Sequence, residues 1–471
     1  MYRRATVLAL LGLATSAVAA PAQTPQDPFP TPLPVSDGVI RVGVSEFATL
    51  PDIAGVAARM MRLLDEPGTR RLFVNDQRGP IYSVSYDGRT VTLFVDVSDS
   101  TWKVGVHSQG RERGVQGVAF HPQYAQRNTP GFGKFYTWSD VRDTTPAPDF
   151  TPSGGGHTHH TVLHEWTART PGAATYDGGA PRELMRFKQP YANHNGGMIG
   201  FNPLARSGTA DFGLLYVGIG DGGSGGDPNG HSQNLASGFG KLFRIDPMGR
   251  NSANGKYGVP ASNPFVNDGN PATLGEIFAY GLRNPQHFAW DRKNGRMFLT
   301  DIGQNTVEEL DTLSVGANLG WNTWEGSFRF GAQGVSLENP RSDPKMTYPI
   351  AEYAQRDSLL LPNSAATGLL IYRDTLIPQL TNLVLWSDLP SGELLQVSAD
   401  RLPNGGQDAI RRILINDGGV SKTLLQLIRD KNATQGKNPA TRADLRIASG
   451  PNGQILLLNK GDGVIRLVTR D

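Results

Sequence analysis

The sequence contains no cysteine. That absence excludes disulfide staples, a lipid-anchored N-terminal cysteine, thiolate metal sites and cysteine nucleophiles. Charge of either sign is also scarce. Asp, Glu, Lys and Arg make up 19% of the 471 residues and the formal net charge is +2, which leaves no electrostatic footprint for nucleic acid or an anionic membrane. Helix-forming stretches are few, and only 53–64 and 421–430 predict helices. Long apolar runs are missing too, apart from residues 5–20. That run follows Arg3 and Arg4 and leads into small residues at Ala20 and Ala22, the pattern of a signal peptide cut after Ala22. About 16 alanine-rich residues is short for a membrane span. Residues 1–22 are therefore read as a signal peptide, the destination as periplasmic or secreted, and the rest as free of a membrane span.

What the chain has in excess is turn formers. Gly 57 and Pro 33 together fit a fold with many turns. Residues 23–36 are proline-rich without periodicity and predict a flexible lead-in, followed by one large all-β domain over 37–471. Within it one phrase recurs six times, an apolar β-rich run closing on Asp or Asn. The closing residues are Asp76, Asp140, Asp221, Asp301, Asp388 and Asn459, at steps of roughly 64, 81, 80, 87 and 71 positions. Most copies follow a partner run that ends at a turn, such as 115–122, 198–203 and 369–374. A hairpin repeated six times, with room for two more strands per unit, predicts an all-β six-bladed β-propeller with four-stranded antiparallel blades and long rim loops. The run 39–44 is placed to return to the last blade and close the ring. Two β-sandwiches of unrelated strands are the alternative, and a phrase common to all six units argues against them.

Four loops have compositions that strand packing does not explain: 111–114, 192–197, 280–286 and 301–311. His194, beside Gly196 and Gly197, is the acid–base candidate, since imidazole titrates near neutrality and glycines admit a close approach. On its residues alone it is equally a turn histidine bonded to a carbonyl. Arg283, Asn284 and Pro285 put a planar cation and an amide on a fixed turn, suited to a carboxylate or carbonyl ligand or to a structural ion pair. The segment 301–311 offers carboxylate and carbonyl oxygens, the hard ligands that calcium prefers, without EF-hand spacing. His157, His159, His160 and His164 read as a solvated cluster before a metal site. The run 220–227 reads as a calcium loop or a mobile one. No glycine-rich stretch stands between a strand and a helix.

Taken together, the phrases 113–122, 193–197, 233–246, 281–286, 301–311 and 318–321 resemble the soluble quinone-dependent sugar dehydrogenases, the glucose and sorbosone dehydrogenase family. The resemblance implies oxidation of an aldose or related sugar, with pyrroloquinoline quinone and calcium as cofactors and a periplasmic or membrane electron acceptor. It implies a monomer or homodimer. His194 matches the catalytic base, with Asn193 before it where some members carry Asp, and Glu112 matches a polar residue that orients base or substrate. Arg283 and Asn284 match the pair that contacts the quinone, and Arg442 and Arg446 loosely match a later arginine pair. The carbonyls of Gly303 and Gln304 match calcium ligands, with Glu308 on the same loop. Two departures stand out: the loop 387–392 has no lysine, and Gln304 replaces a proline. The rival expectations are a non-catalytic carbohydrate- or protein-binding propeller and a calcium-dependent sugar lactonase, which needs more carboxylates than the loops provide.

Overall fold

The protein, in a computed structural model, is described over residues 27–157 and 159–471. The expected signal peptide lies outside the described residues. Each recurring phrase forms the second strand of a four-stranded unit: Arg71–Asp76, Lys134–Val141, Leu215–Ile219, Met297–Asp301, Leu383–Asp388 and Ile455–Leu458. Four units are separate antiparallel sheets, and the last two are joined within one nine-stranded sheet. The joining strand is Ile40–Thr49. Its start pairs in parallel with Arg411–Asp417, and its remainder pairs antiparallel with Val464–Thr469. The expected return of 39–44 to the last unit is therefore present, but it is longer and shared with the unit before. A small three-stranded sheet, Trp324–Glu325, Phe328–Gly331 and Gly334–Ser336, is inserted into the fourth unit.

The second strands are apolar without alternation because each is covered on both faces. All five residues of Leu215–Ile219 are buried, whereas the outer strand Ile40–Thr49 mixes buried and exposed positions. Between the second and third units, Tyr136, Trp138 and Phe187 share a core with Val217 and Phe243. Each such side chain contributes about 2 kcal/mol by leaving water. First strands of consecutive units lie side by side except between the third and fourth units, where Leu215–Ile219 meets Pro285–Trp290. Met60–Asp65 meets Val115–Phe120, which meets Ile199–Phe201; Pro285–Trp290 meets Ala366–Tyr372, which meets Arg446–Ser449; and the last returns to Met60–Asp65. This all-β array of four-stranded antiparallel sheets is consistent with a β-propeller.

The closing carboxylates of the phrases have a shared task. Asp76 accepts the Arg59 N–H at 3.1 Å, and Asp140 accepts that of Gly114 at 3.0 Å. Asp301 accepts those of Arg283 and Asn284 at 2.8 and 2.7 Å, and Asp388 accepts that of Ala365 at 2.9 Å. Residues 59, 114, 284 and 365 each stand immediately before the first strand of their unit. A buried carboxylate thus satisfies a donor that the sheet cannot, and it sets where each loop enters its strand.

Two expectations are corrected. Residues 53–64 are not a helix: Met60–Asp65 is a strand paired with Arg71–Asp76, and that tertiary pairing overrides the helical preference of the sequence. The second predicted helix exists as Leu424–Thr434, opened by a capping box between Thr423 and Gln426. The described part of the lead-in is not free either. Leu33 is buried and its N–H donates to Asp357 at 2.7 Å, while the Thr31 and Val35 carbonyls accept from Gln407 and Arg412. Lacking periodicity, the segment docks through single contacts that no pattern announces.

Replacing Asp76 by alanine leaves the Arg59 N–H and the Arg78 guanidinium, which it holds at 2.6 Å, without their acceptor. The expected loss is about 3 kcal/mol of unfolding free energy. Denaturant titration checks it, and an unchanged midpoint would show that the clamp carries no stability.

Candidate active site

His194 sits on the loop that leads into the third unit, with a backbone φ of 55°. The glycines after it are needed for contact. A Cβ on Gly196 would lie 2.1 Å from the Trp138 indole nitrogen, and one on Gly197 would lie 1.9 Å from the Pro285 carbonyl oxygen. The His194 N–H donates to Glu112 at 2.8 Å. Its ring Nδ1 lies 2.7 Å from Asp221. The ring is 5% exposed, and among the described residues none bonds Nε2. Asp221 is the closing residue of the third phrase, but here the carboxylate is turned to the imidazole. It also accepts the Gly223 N–H at 2.8 Å and the Trp321 indole N–H at 2.9 Å. Burial works to raise its pKa, yet the His194 ring and Arg283 outweigh that and hold it below the usual carboxylate range. An ionised Asp221 fixes Nδ1 as the protonated nitrogen, which leaves Nε2 able to take a proton.

Arg283 and Asn284 are tied to the same centre. The Arg283 carbonyl accepts the Asp221 N–H at 2.8 Å, and its guanidinium donates to Gln304 Oε1 at 3.1 Å and to the Ile302 carbonyl at 2.9 Å. It also lies over the Trp321 ring at 5.6 Å. Gln304 accepts the Gly226 N–H as well, so the residue that replaces a proline steers the guanidinium. Burial pushes the Asp301 carboxyl, which clamps both backbone N–H groups, up to about 6.

The loop 303–307 wraps one carboxylate oxygen. Glu325 Oε1 accepts four consecutive backbone N–H groups, from Gln304 through Val307, at 2.8 to 3.0 Å. Four N–H groups converging on one atom make a nest. Gly303 and Gln304 line the cavity described below, but Glu308 does not. Its carboxylate accepts from the Gln355 amide and the Ala366 N–H instead, and burial holds its pKa well above the usual value. The Gly303 carbonyl accepts from Gln355 at 3.0 Å. The donor set on the cavity side is thus backbone carbonyl, which suits a hard cation only where water and a ligand complete its shell. Among the described residues no group of three or more His, Asp or Glu is placed to hold a metal.

These groups border one cavity of about 710 Å³. His194, Glu112, Arg283, Asn284, Gly303, Gln304, Arg442 and Arg446 line it, whereas Asn193 and Glu308 do not. Asn193 instead accepts the Ser224 N–H through its side chain. Of the lining side chains six are cationic and three acidic. Gln286 links the two groups of cation, donating to Asn284 at 3.0 Å and accepting from Arg446 at 3.3 Å. Sequence reasoning gave no role to Gln286, Glu325 and Lys460, and it read Asp221 as part of a calcium or mobile loop and not as the partner of His194. Asp221 had a signal, being the one closing residue followed by Gly222 and Gly223, while Glu325 had none. The histidine cluster lies elsewhere. His160 Nδ1 is 3.1 Å from Arg186 and His159 packs on His107.

The profile of the Glucose / Sorbosone dehydrogenase family matches residues 59–420. The chain belongs to that family. The HIPL2 protein of Arabidopsis thaliana is 30% identical over 369 residues, 71% of this chain and 51% of that protein. The human (Homo sapiens) Hedgehog-interacting protein is 27% identical over 241 residues, 51% of this chain and 31% of its own length. The chain thus spans about half the length, or less, of these curated relatives. Among solved structures, the quinone-bound aldose sugar dehydrogenase of Streptomyces coelicolor aligns with a TM-score of 0.57 at 20% identity, over 91% of this chain and 98% of that one. That likeness shows a shared fold.

Glu325→Ala would strand four backbone donors. We expect faster amide exchange at 304–307, read by hydrogen-exchange mass spectrometry, and a stability loss of about 3 kcal/mol. Unchanged exchange would show that the loop holds itself.

Proposed function

We propose that this chain is an exported sugar dehydrogenase, a six-bladed propeller whose cavity holds pyrroloquinoline quinone and calcium and admits an aldose or related sugar. The family assignment and the neighbouring first strands of most consecutive units support the scaffold. The observation that carries the chemistry is the Asp221–His194 pair at 2.7 Å, opening on the cavity that Arg283 also lines. The quinone is a tricarboxylate, and six cations against three acids fit such a ligand. Arg283 and Asn284 on one side and Arg442 and Arg446 on the other would hold it, with the carbonyls of Gly303 and Gln304 offered to calcium. When bound, the quinone supplies the two-electron acceptor and calcium the Lewis acid beside it.

The protein's own part is proton transfer and field. Nε2 of His194 would take the proton of the sugar hydroxyl while the carbon that bears this hydroxyl gives up hydride to the bound acceptor. Asp221 keeps the proton on Nδ1 and stabilises the imidazolium that results, and Glu112 anchors the backbone of the base. Arg283, braced by Gln304 and Ile302, presents fixed positive charge where negative charge develops, without reorganisation at the moment of reaction. Among the described residues no helix is long and apolar enough to cross a membrane. The electron acceptor is read as a separate periplasmic or membrane molecule.

A second reading is a protein-binding propeller without turnover, favoured by the name of the Hedgehog-interacting relatives. One experiment separates the two. The purified chain is loaded with the quinone and calcium, then offered aldoses and a dye acceptor. Dye reduction is expected, and His194→Ala lowers it by about 10²–10⁴-fold while quinone binding persists. Asp221→Asn is expected to lower kcat more than it changes KM, because it disturbs the tautomer of the base rather than the sugar's contacts. Tight quinone binding with no dye reduction by any aldose would favour the binding reading.

A further inference from the structure

Lys460 stands one place beyond Asn459, the closing residue of the sixth phrase. Leu389 occupies the same place after Asp388 in the fifth, and both line the cavity. The two loops meet through the segment 443–445: the Leu445 N–H donates to the Leu389 carbonyl at 3.2 Å, the Ala443 N–H to that of Pro390 at 2.9 Å, and the Lys460 N–H to that of Ala443 at 3.3 Å. The last unit thus delivers a cation beside the site where the fifth loop has none.

The surroundings of Lys460 are unbalanced. Its ammonium donates to the Gln77 amide oxygen at 2.9 Å and to the Arg111 carbonyl at 3.4 Å. The charged groups around it are Arg59, Arg442 and Arg446, with Asp444 as the single acid. Asp444 is already bonded by the Arg442 guanidinium. Arg59 is held by the carbonyls of Ser108 and Gly110, and Arg446 by those of its own neighbour Leu445 and the Gln286 side chain. Lys460, Arg442 and Arg446 share the one carboxylate of Asp444, which Arg59 also faces beside Asp76, and the remaining acceptors are neutral oxygens. Placing so much like charge in a recess is costly unless an anion enters it.

We propose that Lys460, together with Arg442 and Arg446, forms a carboxylate clamp for the polyanionic ligand of this cavity, and that filling the clamp is coupled to the charge on Lys460. The proposal rests on the reading of the cavity as a tricarboxylate quinone site. Burial and the neighbouring arginines bring the Lys460 ammonium down to about 7, so the empty clamp holds it part neutral near neutral pH. A carboxylate at the clamp favours the protonated amine, and ligand binding then takes up a proton. The sign follows: affinity is highest below about pH 7 and falls as pH rises above it.

The test is a binding titration of the full chain with pyrroloquinoline quinone in the presence of calcium, read by intrinsic fluorescence between pH 6.5 and 8.5. For the native protein we expect affinity to fall about tenfold across that range. Lys460→Met binds at least about tenfold more weakly at pH 6.5 and loses the slope. Lys460→Arg keeps the affinity and also loses the slope, and it controls for folding. His194 also lines the cavity, so the slope is taken as the difference between native protein and Lys460→Arg. Native affinity and slope in Lys460→Met would overturn the clamp. If the native protein binds no quinone at any pH, benzene-1,3,5-tricarboxylate replaces it in a thermal-shift titration. A shift lost in Lys460→Met then keeps the clamp while the quinone reading falls, and no shift in the native protein sinks both.

Discussion

The structure depends on one interaction, a buried carboxylate at the end of a second strand that accepts backbone N–H groups from the loop entering the first. Asp76, Asp140, Asp301 and Asp388 each make it. These clamps fix how the chain enters the first strand in four of the six units. The third and sixth copies break the rule, and in the sixth Asn459 accepts the N–H groups of Gly461 and Asp462 in its own turn. Asp221 keeps the position but gives one oxygen to the His194 ring and the other to Trp321. A group that in its siblings serves the fold is here turned to a titratable side chain. The Arg283 carbonyl, which accepts the Asp221 N–H, joins this copy to the next. The candidate base and the candidate cation are therefore held by closing residues of adjacent units, His194 by Asp221 and the Arg283 backbone by Asp301.

Much of this was legible in the sequence because the phrase is local. A run such as Leu215–Ile219 announces a covered strand through its own composition, and its closing residue gave the period. Residues 53–64 misled for the opposite reason: alanine and leucine favour a helix, and only the distant partner Arg71–Asp76 decides otherwise. The cavity was legible where chemistry and glycine coincide, at His194 and at Arg283. It was not legible where a residue's task is set by tertiary contact. Glu308 and its neighbour Glu309 follow one another in a strand, and alternation sends them to opposite faces. Glu308 goes to Ala366, away from the cavity, and nothing in the spacing says so. Glu325 is 22 residues past Gly303, yet it organises that loop from beneath.

The count of cations in the cavity shows the same limit. From the sequence, a loop without lysine suggested a poorer seat for a polyanion. In the fold, the sixth unit restores the cation from its repeat-equivalent position, one sheet further on. Repeats make such exchange easy. A function attached to one unit can be supplied by its neighbour, because equivalent positions converge on the same opening.

The seat at 303–307 and the arginine beside it constrain each other. Glu325 gathers the loop's N–H groups to one side, and Arg283 donates to the Ile302 carbonyl at 2.9 Å from the other. A divalent cation against the carbonyls of Gly303 and Gln304 would stand close to that guanidinium, with no cavity-side carboxylate from the loop between them. Repulsion between the two in a partly dry site is large enough to weaken either alone. An anionic ligand placed between them removes the conflict and turns it into attraction on both sides. Under the proposed function, metal and polyanion would therefore enter this cavity cooperatively, with the cation-rich wall at Arg442, Arg446 and Lys460 favouring the anion.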